Sequence, residues 1–319
     1  MPTVSRARLA VVGLGRIGRL HADNLATRVR GAELAAVVDA IEPLARELGR
    51  RHGVVSAICF EELGGAGLDG VVIAAPSALH PELVGQVAAA GLPVFCEKPL
   101  GLDADDCAAA VAAAEAAGIA LQVGFQRRFD PDWRAMKAAL EAGAIGTVEL
   151  FRCSHRNAAP PPGAGLGDPF VDLATHDIDA ARWLGGEIEE IRAEALPGGD
   201  GALVSLRLAS GALGAIDVHR NAGYGFECSA ELIGSAATIR CGYGTRRDGT
   251  ELLRDGTVKA ALTCDHAQRH SAAYVAELER FADVATGRAK PTVTGADALA
   301  ALRLAEEARH SAQAGALAR

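Results

Sequence analysis

The chain has 319 residues, about twice the common single-domain length, so it holds one large or two medium domains. Half of its residues are apolar, yet it carries only 8 Phe, 3 Tyr and 2 Trp, so its core must be built from Ala, Val, Leu and Ile. With 32 basic against 40 acidic residues and a net charge of -8, it is not a generally basic nucleic-acid binder and has no polybasic membrane anchor.

The first third alternates short β-branched runs with helical segments, the pattern of βαβ units and a parallel sheet. Strands are expected at 8–12, 33–39, 55–60, 69–74, 93–96 and 121–125. Helices are expected at 17–28, 42–51, 81–90 and 103–117, the last nearly all Ala, Asp, Glu and Val with an acidic first turn. Beyond residue 122 the rhythm changes. A helix at 133–142 and a strand at 147–154 precede a loop, AAPPPGAGLGDP, and a helix at 170–184. Strands at 190–196, 202–209, 212–219, 226–233, 238–241 and 258–263 then follow one another across Gly-containing turns, which argues for a mostly antiparallel sheet. Helices at 271–285 and 296–312 close the chain. The expected fold is therefore α/β. A Rossmann dinucleotide-binding domain (1–122) is followed by a substrate-binding α+β domain with an open, mostly antiparallel sheet (123–319).

Seven scattered cysteines form no CxxC pair, so no metal site is expected and the thiols read as reduced and mostly buried. The N-terminus runs straight into a strand, and no apolar run approaches the roughly 18 residues that a spanning helix needs. The expectation is a soluble cytoplasmic protein without nucleic-acid or membrane partners.

Gly13, Gly15 and Gly18 form GLGRIG between the first strand and the first helix. A glycine-rich turn explains such a motif equally well when it stands alone. In this context Gly13 allows a tight turn, Gly15 lets a pyrophosphate approach the backbone, and Gly18 lets helix and strand pack closely. The N–H groups of Arg16 and Ile17 would face the phosphates. Asp39, ending the second strand, can accept both adenosine ribose hydroxyls and repel a 2'-phosphate, so NAD is expected. Arg16 leaves NADP open.

Only four residues are lysines, and Lys98 stands in LPVFCEKPLG at a strand end, braced by Pro99. The carboxyl ends of parallel strands line the ligand crevice, which gives Lys98 a functional reading beside that of a lysine on a surface turn. GLGRIG, AAPSALHPEL and CEKPLG, in that order and spacing, resemble the Gfo/Idh/MocA oxidoreductase family, and the likeness spans nearly the whole chain. The resemblance implies that the EKP lysine touches substrate beside the nicotinamide. It also implies that Ala75, Pro76 and His80 lie along the cofactor and that Glu97 approaches the nicotinamide ribose. For His80 a plain role before Pro81 at a helix start is as good.

Asp172, His176 and Asp179 in FVDLATHDIDAARWLGG sit at i, i+4 and i+7, on one helix face. A carboxylate one turn before a histidine can orient the imidazole and make it a general base. The alternative is the solvated face of an amphipathic helix. The resemblance favours the base, since it places a DxxxH pair on this helix opposite the EKP lysine.

DLATHDID, GFQRRFDP, CSHRNAAPPP and YGFECSAELIG are further similar to family members that act on myo-inositol. Carried over by motif, Arg127, His155, Asn157, Asp179 and Tyr224 would hydrogen-bond ring hydroxyls. Taken singly, Arg127 and Arg128 read as a charged surface turn, and His155 and Asn157 as a polar strand end. One departure is Phe226, where those members usually carry a second tyrosine.

The resemblance implies NAD-dependent oxidation of a ring hydroxyl with Lys98, Asp172 and His176 handling the proton, myo-inositol to 2-keto-myo-inositol being the leading case. It also implies a homo-oligomer, a tetramer or dimer packed through the second sheet. A family dehydrogenase for scyllo-inositol, a pyranose or a sugar derivative is the alternative. A non-enzymatic NAD sensor is a third reading, disfavoured because Lys98, Asp172 and His176 are all present.

Overall fold

The computed structural model describes residues 6–64, 67–158, 167–222, 225–242 and 266–317. The first elements are β1 (Ala7–Val12), α1 (Arg16–Thr27), β2 (Ala32–Val38), α2 (Glu42–His52), β3 (Val55–Ala57), β4 (Gly70–Ile73), α3 (His80–Ala89), β5 (Val94–Glu97), α4 (Ala104–Ala116) and β6 (Leu121–Gly124). Next come α5 (Pro131–Glu141), β7 (Val148–Arg156), α6 (Thr175–Gly185), β8 (Ile188–Ala195), β9 (Gly201–Leu208), β10 (Leu213–His219), β11 (Glu227–Gly234) and β12 (Thr238–Cys241). A short α7 (His266–Arg269), then α8 (Ser271–Ala285) and α9 (Gly295–Leu317), end the chain. The strand expected at 258–263 lies outside the described residues.

The first sheet has the order β3-β2-β1-β4-β5-β6 and every pairing is parallel. This is the doubly wound Rossmann arrangement, whose order reverses beside β1 and leaves a ligand crevice at the carboxyl ends of the strands. Local chemistry agrees with it. Gly53 ends α2 in the left-handed region after a basic last turn of Arg50, Arg51 and His52, which suits the helix dipole. The side chain of Asp103 caps α4 by accepting the N–H of Asp106 at 2.9 Å. The third strand is shorter than expected. Only Val55–Ala57 pairs, and Phe60–Leu63 turns into a 3-10 helix.

The second sheet has the order β12-β11-β7-β10-β9-β8. It is antiparallel throughout except for β7 beside β10, which run parallel. On β7, Phe151, Cys153 and His155 are buried while the residues between them are less so, the period of two expected of a half-covered sheet.

The chain forms two compact units, Met1–Phe129 with Ala272–Ala300, and Asp130–Ser271 with Ala301–Arg319. A single cut at residue 122 therefore does not describe it. Residues 123–129 and the helix α8 count with the first unit. The reason is apolar burial. Leu278, Phe281, Ala282 and Val284 of α8 share one core cluster with residues of β1, α1, β2 and α2. Phe281 also packs on Phe95 of β5 with ring centres 5.8 Å apart.

Candidate functional site

In the first unit the site is made largely of backbone. Gly13 has φ +86°, and a Cβ there would lie 2.4 Å from the Ala75 nitrogen. At Gly18 a Cβ would come within 1.8 Å of the Gly13 carbonyl oxygen. Both glycines are thus demanded by the close approach of β1, α1 and the end of β4. Gly15 is different, because a Cβ there would meet nothing within 4 Å. That glycine leaves open space at the start of α1, which has no side-chain cap and no acidic residue in its first turn. An uncapped helix N-terminus facing open space is what a pyrophosphate needs.

Asp39 accepts the N–H groups of Leu14 at 2.7 Å and Ile41 at 2.8 Å. The carboxylate is thereby held by main chain at the mouth of this cradle, with further lone pairs for a ribose. Arg16 is exposed and Ile17 half-buried. Ala75 lines the turn against Gly13, and Pro76 is exposed beside it. These residues fit the adenosine and pyrophosphate of a dinucleotide.

The Glu97–Lys98 turn ends β5. Lys98 is half-buried, its N–H donates to the Glu97 carboxylate at 3.2 Å, and its peptide bond to Pro99 is cis. His80 has a structural role. It is buried, with Nδ1 2.7 Å from the Pro99 carbonyl oxygen and Nε2 2.8 Å from that of Ala75. Both ring nitrogens face main chain, so His80 ties the two loops together and keeps no nitrogen for a cofactor. Burial pushes its pKa down from the ordinary value, against the pull of the two carbonyls. Arg127 and Arg128, in the 3-10 turn after β6, are both buried, and Arg128 pairs with Asp297 at 3.1 Å. The surface-turn reading is excluded for both.

In the second unit the candidate residues are side chains on α6 and β7. The helix begins with a π turn, Phe170–Ala174, and continues as α6. Such turns are uncommon and frequent at functional sites. Asp168 anchors its start, accepting the Phe170 N–H at 2.9 Å while pairing with Arg309 at 3.3 Å. Asp172 lies in the π turn, and His176 and Asp179 in α6. His176, Asp177 and Asp179 are all buried, so the solvated-face reading fails. Asp172 is partly exposed and pairs with the buried Arg220 at 3.6 Å.

His155 reaches the same cluster from β7. Its ring lies 6.0 Å from that of His176, edge to face, and 5.8 Å from Phe226. Asn157 continues the β7–β10 pairing through its backbone, its N–H donating to the His219 carbonyl at 2.9 Å. Tyr224 lies outside the described residues.

Sequence reasoning missed Asp177. It is fully buried, accepts the Cys153 thiol at 2.9 Å, and stands 3.1 Å from His155 Nδ1. Cys153 and His155, two apart on an inward strand face, were a signal that some buried acceptor must meet them. Arg220 was missed as well, since no motif contains it.

Comparisons with known proteins agree with this geometry. Residues 7–125 match the Gfo/Idh/MocA oxidoreductase family with its NAD-binding Rossmann fold, and residues 133–240 match the Gfo/Idh/MocA C-terminal domain. The chain is 33% identical to a scyllo-inositol 2-dehydrogenase (NAD(+)) of Bacillus subtilis, over 97% of this chain and 95% of that one. It is 35% identical to a myo-inositol 2-dehydrogenase of Thermotoga maritima, over 95% and 96%. Among solved structures, a scyllo-inositol dehydrogenase from Lactobacillus casei with bound NAD(H) and scyllo-inositol superposes with TM-score 0.88 at 25% identity, covering 98% of both chains. A myo-inositol dehydrogenase from Corynebacterium glutamicum superposes with TM-score 0.84 at 28% identity, again over 98% of both. With both domain types matched in order and the cradle and buried helix in place, the chain belongs to the Gfo/Idh/MocA family and is an NAD-dependent oxidoreductase.

Proposed function

We propose that this oxidoreductase acts on CH–OH groups and oxidises one ring hydroxyl of a cyclic polyol, myo-inositol to 2-keto-myo-inositol being the leading case. The observation that carries the reading is the buried polar face of the second unit, where His155, His176, Asp177 and Asp179 are all withdrawn from solvent. A polyhydroxylated ring can exchange hydrogen bonds with groups of this kind, whereas an apolar substrate offers them neither a donor nor an acceptor. The inositol dehydrogenases to which the chain is similar support the same substrate class.

NAD+, when bound, supplies the acceptor for the hydride leaving the ring carbon. His176 takes the hydroxyl proton as general base, with Asp172, itself held by Arg220, orienting the imidazole. Lys98 donates a hydrogen bond to the same oxygen and stabilises its developing negative charge. Arg127, His155, Asn157, Asp179 and Tyr224 hold the remaining hydroxyls. On the cofactor side, Gly13, Gly15, Gly18 and the N–H groups of Arg16 and Ile17 receive the pyrophosphate. Asp39 takes the adenosine ribose and disfavours a 2'-phosphate, so NAD is used over NADP. Ala75 and Pro76 would lie along the cofactor, and Glu97 would approach the nicotinamide ribose.

Phe226, edge-on to His155, offers no hydroxyl. This favours, as a second reading, a different stereoisomer such as scyllo-inositol, or a pyranose. A panel of inositols and pyranoses assayed by NADH absorbance, repeated with NADP+, separates the readings. Turnover with myo-inositol and NAD+ is expected, and no turnover with any cyclic polyol sinks the proposal. Leu203 of β9 and Leu213 of β10 stay exposed, which supports a homo-oligomer built through this sheet. Light scattering after size exclusion tests that. No helix among the described residues is long and apolar enough to cross a membrane, and we place the enzyme in the cytoplasm.

A further inference from the structure

A second polar cluster is buried in the first unit, one helical turn beyond Gly18 on α1. His21 of α1 is fully buried, with Nε2 2.7 Å from Glu97 Oε1, and its ring stands edge-on to Phe95 and Tyr274. The other oxygen of Glu97 accepts the Lys98 N–H. Glu277 of α8 is fully buried too, and neither of its carboxyl oxygens has a hydrogen-bond partner. Donor or acceptor atoms of His21, Glu97 and Glu277 lie within 4.8 Å of one another. The main chain of Glu277 is fixed by Gln122, whose amide donates to its carbonyl at 3.0 Å.

Two chemistries suit three such groups, a metal ion or a shared proton. The 2.7 Å between His21 and Glu97 is a hydrogen-bond length, whereas ligands about 2.0 Å from a tetrahedral ion stand roughly 3.3 Å apart. The proton is therefore favoured. A charged carboxylate at the position of Glu277 would be desolvated and face a second carboxylate, at a cost of several kcal/mol. Burial first, and then the charge of Glu97, push the Glu277 carboxyl well above the ordinary range. It stands as a neutral acid with one O–H to donate.

Resting on the reading that Lys98 acts beside the nicotinamide, we propose that Glu277 is a positioning residue for the Glu97–Lys98 turn, acting with His21 on the Glu97 carboxylate. The Glu97 carboxylate stays directed at His21 and the Lys98 N–H, with a polar but uncharged neighbour in Glu277. Gly124 bounds the same carboxylate from β6, where a Cβ would press on it at 3.1 Å.

The test compares Glu277→Gln with Glu277→Leu in the full-length enzyme, reading NAD affinity by fluorescence titration and kcat with the best polyol. Glu277→Gln should keep kcat within about twofold, whereas Glu277→Leu should lower it about tenfold with NAD affinity little changed. Infrared difference spectra should show the carbonyl stretch of a protonated carboxyl in the wild type and not in Glu277→Gln. If Glu277→Leu fails to fold, Gly124→Ala, which leaves Glu277 intact, should give the same loss of kcat. Full activity in Glu277→Leu or Gly124→Ala, equal damage from Gln and Leu, no protonated-carboxyl band, or a stoichiometric metal lost in Glu277→Gln would each overturn the proposal. A wild type that binds no NAD or turns over no polyol defeats the underlying functional reading instead.

Discussion

The two units build their candidate sites from different materials. In the first, the cradle is main chain, with glycines that tolerate close approach, an uncapped helix N-terminus and an aspartate pinned by two N–H groups. In the second it is side chain, with His155, His176, Asp177 and Asp179 packed where solvent does not reach. Backbone recognises a phosphate by geometry and needs only the absence of a Cβ. Stereochemically distinct hydroxyls need donors and acceptors at fixed points, and these must be buried and mutually satisfied to be rigid.

The strongest break in that contrast is His176→Ala. It should lower kcat by about 10³-fold, within the span of general-base catalysis, while leaving NAD affinity unchanged by titration. Lys98→Ala should likewise abolish turnover and spare NAD binding. A His176→Ala enzyme with wild-type kcat would remove the imidazole from the mechanism.

Asp177→Ala should destabilise the protein by about 3 kcal/mol, because Cys153 and His155 lose a buried partner. Urea unfolding measures this, and a loss near zero would show that Asp177 is not what holds His155.

Asp130 sharpens the comparison by its purely structural part in the second unit. It caps α5, accepting the N–H groups of Asp132 and Trp133, and meets Arg269 at 2.8 Å and His270 at 3.0 Å. Burial alone would raise its pKa, but His270 and Arg269 hold it below the ordinary carboxylate range. Its stabilising contribution is therefore full above the unfolded-state pKa and disappears as pH falls through the lower folded one. Asp130→Ala should cost about 2 kcal/mol at neutral pH, and the difference from wild type should shrink in acid. A difference independent of pH would contradict this assignment.

Gly15→Val should have the smallest effect on the fold and a selective one on binding. A Cβ there meets nothing within 4 Å, so stability should stay within about 0.5 kcal/mol. NAD affinity should nonetheless fall at least about tenfold if the pyrophosphate takes this space as proposed. Unchanged affinity would place the cofactor elsewhere.

The readable part of the protein follows the same division. GLGRIG and Asp39 belong to one βαβ unit and CEKPLG is a single contiguous stretch, so each was legible locally, and the alternating pattern announced the parallel sheet. The sequence left His80 between two readings, because its hydrogen-bond partners, the carbonyls of Ala75 and Pro99, are set only by the fold. The i, i+4, i+7 spacing selected Asp172, His176 and Asp179. It passed over Asp177, whose partners lie 22 and 24 residues away on β7.

The placement of α8 could not be read either. Its apolar stripe suits any sheet face, and only the competition for the face covered by α1 and α2 assigns it to the first unit.

By itself the sequence determined the α/β class, the doubly wound sheet, the glycine cradle and the helix bearing His176, since each depends on residues close in the chain. Only the tertiary structure decided which polar groups are buried and whom they meet, as with Asp177 and His155, Asp172 and Arg220, or Glu277 beside His21 and Glu97. Burial and charge pairing are properties of elements packed together, and a buried carboxyl is a different chemical group from the same residue in solution.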